Sequence, residues 1–173
     1  LDMLDPVSGA LKTIEVDWSN SLNVVAEISR QRPWAYVMPP VFHDVAERLI
    51  LSGVEVRRLN APVDLDIESF QVTDRRPSNT YIEGRITSRV STEIASKRVS
   101  FPAGSYVYLM AQPNANVVAV ALEPESPSSF VSFGMIPVDK KGSPPTASAG
   151  SEVPVYRVLR PAELELRAVK PKP

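Results

Sequence analysis

The chain has 173 residues, 43% of them hydrophobic, and its 19 Lys+Arg against 20 Asp+Glu leave a formal net charge of −1. That balance excludes a nucleic-acid or anionic-membrane surface, which needs an excess of Lys and Arg. One histidine and no cysteine exclude disulfides, the usual transition-metal clusters and the histidine-assisted nucleophiles, as far as this chain alone must build them.

The length fits one domain, or one domain with a small appended unit. Glycine is scarce (7) and proline abundant (17), which favours many strands and rigid turns over a helical bundle. The opening Leu1-Asp2-Met3-Leu4-Asp5 reads as the interior of a longer protein. Leu11–Trp18 alternates apolar and polar side chains and reads as a half-buried strand. Ser19-Asn20-Ser21 is turn-like, and Leu22–Ile28 fits either a strand or a short helix.

Residues 33–59 form the clearest unit. Trp34–Met38 is a buried strand closed by Pro39-Pro40. A helix follows over about Val41–Leu51, with Phe42, Val45, Ala46, Leu49 and Ile50 on one stripe. Gly53 supplies a left-handed stop. Val54–Leu59 alternates as a second strand, so strand, helix and strand make a βαβ unit with parallel strands.

Beyond Ala61 strands follow at short spacing. Val63–Val72, Tyr81–Ile94, Arg98–Phe101, Ser105–Met110 and Val153–Leu159 read as strands, with Asp74–Asn79 a loop and Pro102-Ala103-Gly104 a tight turn. Asn116–Leu122 fits a central strand or a buried helix equally, and Phe130–Val138 is a short apolar piece. Pro154 favours an edge position. Asp139–Glu152 reads as a mobile surface loop, Glu163–Val169 alternates again, and Pro171-Lys172-Pro173 should fray. The expected fold is mainly β with a small α/β part, an antiparallel β-sandwich-like region plus one βαβ unit. Residues 1–60 would hold the α/β element and 61–173 the antiparallel domain, or the two would form one compact unit.

Four groups of residues invite a functional reading. His43 has Glu47 one helical turn on, but two ligands do not hold a metal tightly, so a solvated helix face is the plainer account. Asp64, Asp66 and Glu68 project from one strand face; a calcium site would put such ligands on a glycine-containing turn, which favours a solvated face. Glu123 and Glu125, in Glu-Pro-Glu-Ser-Pro-Ser-Ser, would serve as an acid–base pair only if burial separated them, and a proline-fixed turn is the simpler account. Among Trp18, Trp34, Tyr36, Tyr81, Tyr106 and Tyr108, aromatic core is the default. Tyr106 and Tyr108 share a strand face and, with Trp34 and Tyr36, make the candidate binding surface for a peptide or glycan.

An ordered set of phrases points further. These are Arg32-Pro33-Trp34-Ala35-Tyr36-Val37-Met38-Pro39-Pro40; Val45-Ala46-Glu47-Arg48-Leu49; Ser52-Gly53-Val54-Glu55-Val56; Pro102-Ala103-Gly104-Ser105-Tyr106-Val107; Ala111-Gln112-Pro113; and Leu122-Glu123-Pro124-Glu125-Ser126-Pro127-Ser128-Ser129. Over about residues 30–160 they resemble the non-catalytic region that follows the catalytic domain in bacterial zinc carboxypeptidases of the carboxypeptidase A-like kind. The resemblance implies a parent that removes a C-terminal residue from peptides, or a cell-wall peptide, with a zinc-bound water. That chemistry uses a His-x-x-Glu pair and a distant second histidine. Here Asp44, Val45 and Ala46 follow His43 and there is no second histidine, so no catalytic residue and no metal ligand carries over. The resemblance implies an accessory domain that packs on and shapes the catalytic domain, with zinc held there. It also implies a secreted or periplasmic location; the charge balance argues against a nucleic-acid partner, and no apolar stretch is long enough to span a membrane. The alternative is an independent glycan- or peptide-binding β module, and a hydrolase using Glu123 and Glu125 alone comes last.

Overall fold

The computed structural model describes residues 1–17, 22, 24–139, 142 and 150–169, with Thr80 described for its backbone alone. They fall into two units, residues 1–30 and residues 31–173. Trp18 and Ser19–Ser21, most of the 139–152 loop, and Pro171–Pro173 lie outside the described residues.

The first unit is a short antiparallel pair, β1 (Asp2–Leu4) and β2 (Leu11–Thr13). The Asp5 carboxylate accepts the N–H groups of Val7 and Ser8 and so fixes the turn between them. Those bonds hold its carboxyl below the ordinary range. Every residue of both strands is exposed, so the strand expected over 11–18 has nothing to pack on and ends at Thr13. The described part of 22–28 forms neither strand nor helix.

The second unit is built on β3 (Ala35–Met38), α1 (His43–Leu51), β4 (Arg57–Leu59), β5 (Val63–Ile82), β6 (Arg85–Phe101), β7 (Tyr106–Leu109), α2 (Ala115–Leu122), β8 (Glu152–Val158) and β9 (Leu166–Ala168). Its seven strands form one sheet in the order β6-β5-β8-β3-β7-β4-β9, each neighbour antiparallel. Strands β3 and β4 are both antiparallel to β7, which lies between them, so they run parallel to each other as the βαβ reading requires. Residues 33–59 thus belong to the same sheet as the later strands. The chain is mainly β, and among the described residues of the second unit the strands make one seven-stranded sheet, with the two helices on one of its faces.

Helix α1 buries Val45, Ala46 and Leu49. Its end is a Schellman closure: Val54 N–H donates to Leu49 O at 2.9 Å, Gly53 N–H to Ile50 O at 2.9 Å, and Gly53 takes φ +77°. Asn116–Leu122 resolves as helix α2, with Ala115, Val118, Ala121 and Leu122 buried at helical spacing. With α1, it covers Tyr36, Met38, Phe70, Val72, Val153 and Val155 on one sheet face. Ala35, Val37, Leu65, Ile67, Phe101, Val107 and Val158 form the core of the other face. Phe130–Val138 contains no strand; its turns seal the helix-side core with Val131, Ile136 and Val138.

Two proline positions differ from expectation. Strand β8 lies inside the sheet, between β5 and β3, although Pro154 favours an edge. Its register on β5 jumps from Ser69↔Tyr156 to Phe70↔Val153, so Pro154 sits in the irregularity, outside the paired positions. The supposed loop Asp74–Asn79 is part of β5, whose pairing with β6 absorbs Pro77 through shifts at Val72/Asp74 and Pro77/Tyr81. At the tip, Ile82 faces Arg85, and Glu83 (φ 47°) and Gly84 (φ 81°) form the two-residue turn with positive φ that hairpins favour.

Candidate functional site

Four strands bring one row of polar side chains beneath the helices. Glu68 of β5 pairs with Arg157 of β8, Arg157 with Tyr36 of β3, and Tyr36 with Tyr108 of β7. Tyr36 and Arg157 reach Glu123, the residue that follows α2. The Tyr36 hydroxyl donates to Glu123 Oε1 at 2.6 Å. Arg157 Nε lies 3.3 Å from the same oxygen. Its Nη1 donates to Glu68 Oε2 and its Nη2 to the Gln31 carbonyl. The guanidinium is only 3% exposed, and such burial is sustained only when the charge is paired and hydrogen-bonded.

The electrostatics follow from burial. Burial, then the nearby Glu123 charge, push the Tyr36 hydroxyl well above the ordinary tyrosine range. Burial does the same to Tyr108, helped by Tyr106. On the opposite face, burial and Glu152 push Tyr156 up to about 12. Lys97 Nζ donates to Glu152 at 2.6 Å and lies 5.9 Å from the Tyr156 ring centroid. Tyr36 and Tyr108 are therefore neutral at physiological pH; Tyr36 donates to Glu123, while the buried Tyr108 hydroxyl meets no hydrogen-bond partner among the described residues. Both carboxylates around Arg157 are engaged in ion pairs, so the row is built to hold strands together.

The residues singled out in the sequence fall as follows. Tyr36, Tyr106 and Tyr108 are 1%, 5% and 0% exposed, inside the helix-side core. Trp34 is half-buried against the other face. The four do not make an exposed aromatic surface, because the strand face that Tyr106 and Tyr108 share points inward. Only Tyr81 among the described tyrosines is widely exposed. His43 is exposed and its Nε2 contacts Asp44, not Glu47, at 2.9 Å. Asp66 meets Arg98 at 3.3 Å, and Glu68 turns inward to Arg157. Among the described residues no group of three or more His, Asp or Glu is placed to hold a metal, and no helix is long and apolar enough to cross a membrane.

Glu123 and Glu125 take separate partners. Glu125 Oε1 accepts Thr92 N–H at 2.8 Å and Thr92 Oγ1 at 2.9 Å, tying the loop to β6. Ser129 Oγ donates to Pro124 O and accepts Ser132 N–H, both at 3.0 Å, the side-chain-to-backbone closure expected of this turn. The sequence reading missed Arg157 and Glu68 as partners. The available signal was an arginine within Val153–Val158, where neighbours on both sides are core-forming: a strand buried on both faces must bring an arginine its counter-charges.

Beside this row the sheet opens. Strand β5 pairs with β8 only over Glu68–Gln71, and a groove of about 660 Å³ separates Asp64–Ile67 from residues 158–162. Its charged lining is mixed, Asp64, Asp66 and Glu68 with Lys97, Arg98, Arg157 and Arg160.

No protein-family model and no solved structure matches the chain. Its similarity is to a part of carboxypeptidases. The carboxypeptidase 2 of Trichophyton tonsurans is 35% identical over 156 residues, covering 90% of this chain and 27% of that protein. Those of Trichophyton equinum and Trichophyton rubrum are 34% and 31% identical over the same shares. The chain thus spans about a quarter of the length of the relatives it matches, and these relatives are fungal.

Proposed function

We propose that this chain is a non-catalytic accessory region of a zinc metallocarboxypeptidase, packing on the catalytic region and shaping its substrate cleft. The observation that carries the reading is the coverage: nine-tenths of the chain aligns to only 27% of the carboxypeptidase 2 of Trichophyton tonsurans and of Trichophyton equinum. Two further features support it. A single histidine and no cysteine leave the His-x-x-Glu zinc chemistry to the remaining polypeptide. Residues 1–30 also expose Leu4, Val7, Leu11, Leu22, Val24 and Val25, each at least 67% accessible, an apolar surface larger than a thirty-residue segment can bury by itself. The phrase resemblance supports a secreted or periplasmic setting and a bacterial type of parent.

Two measurements test the reading. The purified chain with added zinc should release no C-terminal residue from peptides; turnover would end it. Deleting the matched region from the Trichophyton tonsurans carboxypeptidase 2 should lower the thermal midpoint and the kcat/KM of what remains; an unchanged remainder would refute an accessory role.

A further inference from the structure

The β5–β6 hairpin runs well past the last residue that β8 pairs with it. Gln71 faces Glu152, and the ladder then continues to Ile82 and Arg85. At about 3.3 Å per residue the extension is on the order of 35 Å. Its lower part is braced: Thr92 bonds Glu125, Ser88 N–H donates to Ser132 O, and Arg75 donates to the Val138 carbonyl, while at the tip Arg85 donates to the Phe133 carbonyl. Residues 81–86 are all exposed. There Tyr81, Ile82 and Ile86 are 71%, 41% and 65% accessible, and Tyr81 faces Ile86 directly across the ladder. A soluble hairpin tip gains nothing from three large apolar side chains in water.

Charge and area say what covers them. Over residues 73–92 the arm carries Arg75, Arg76, Arg85 and Arg89 against Asp74 and Glu83, a net of +2 in a chain whose net charge is −1. Tip-to-tip pairing of two copies would oppose like charges. The apolar tip offers roughly 300 Å² on its Tyr81–Ile86 face, about half of the roughly 600 Å² per partner that a stable interface between separate molecules needs. Such a patch suffices when the other surface is covalently tethered and present at roughly millimolar effective concentration. The matching relatives provide that situation, since about three-quarters of their length lies outside the matched region. We propose that the hairpin tip, with the cross-strand pair Tyr81 and Ile86 as anchors on one face and the arm's arginines around them, docks into an apolar, carboxylate-rimmed recess on the remainder of the same carboxypeptidase polypeptide. This rests on the accessory-region reading and names the contact.

The test is nuclear magnetic resonance titration of the isotope-labelled chain with the part of the Trichophyton tonsurans carboxypeptidase 2 outside the matched region, prepared in a form that binds its own matched region. Amides of residues 81–86 should shift with sub-millimolar to millimolar affinity. Tyr81→Ser/Ile86→Ser should weaken that binding at least fivefold, and Leu51→Ser, on exposed helix surface, should not. Shifts confined to residues 1–30, or binding that the tip variant leaves unchanged, would overturn the tip contact and leave the accessory reading standing. No shift anywhere would overturn both. Tip shifts that grow with the chain's own concentration would assign the surface to a second copy and overturn the proposal.

Discussion

Replacing Arg157 by Met removes the cation that Glu68 and Glu123 share, and leaves Glu123 the Tyr36 hydroxyl. Arg157 is 3% exposed, Glu68 21% and Glu123 19%, so water cannot fully resolvate what remains. Removing one partner of a buried ion pair costs about 3–5 kcal/mol. Each carboxylate keeps about a fifth of its accessibility, which places the expectation near the lower end, about 3 kcal/mol. For a unit of this size that lowers the melting temperature by roughly 10–15 °C. The Gln31 carbonyl also loses its donor, and methionine fills most of the volume, so the loss reports charge and not a cavity. Arg157→Lys should rescue little, because a point charge cannot reach Glu68, Glu123 and the carbonyl together. The triple variant Arg157→Met/Glu68→Gln/Glu123→Gln removes all three charges and should recover most of the loss. Urea unfolding followed by circular dichroism gives the three stabilities. A loss below about 1 kcal/mol for Arg157→Met, or a triple variant no better than the single, would refute the account of the row as a strand-welding ion cluster.

Four other outcomes are expected. Gly53→Ala should cost about 1–2 kcal/mol in urea unfolding, since φ is +77° and the new Cβ would lie 2.8 Å from Asn114 Nδ2. Phe70→Ala, at 0% exposure between β5 and the helices, should cost about 3–5 kcal/mol by the same measurement. At the hairpin tip Glu83→Asn should stabilise by about 0.5 kcal/mol and Gly84→Ala destabilise by about 1 kcal/mol, because Asn tolerates positive φ and Ala does not; a thermal melt orders the three. Tyr36, Tyr108 and Tyr156 are held above the ordinary tyrosine range. The unfolded chain therefore releases those protons first as pH rises from 10 toward 12. Stability is full below pH 10 and falls across that window, and absorbance at 295 nm should show the three ionising late, with unfolding.

The strand–helix–strand segment was legible because local chemistry decides it. Prolines bound β3, the apolar stripe of α1 has helical spacing, and Gly53 adopts the left-handed end. Helix α2 was ambiguous because Val117, Val118, Ala119 and Val120 are apolar at either period; packing settles it by burying Val118 and leaving Val120 half-accessible. The interior placement of β8 was hidden because a register shift relieves the constraint Pro154 would impose. The polar row was hidden for a different reason. Arg157 meets Glu68, and Tyr36 meets Glu123, through contacts 89 and 87 residues apart in sequence, and an alternating carboxylate looks the same whether it faces solvent or a buried guanidinium. Tyr106 and Tyr108 share a face as their spacing requires, but spacing does not reveal which way that face points.

The place of β8 sets a clock for biosynthesis. The hairpin β5–β6 can close as soon as it leaves the ribosome, but β3, finished at Met38, waits for a neighbour that begins at Glu152. At translation rates of about 5–20 residues per second that wait is on the order of ten seconds. During it the half-built sheet presents the hydrogen-bonding side of β3 to any passing strand. A polypeptide truncated after Gly150 would lack β8 and leave β3 and β5 each without that neighbour.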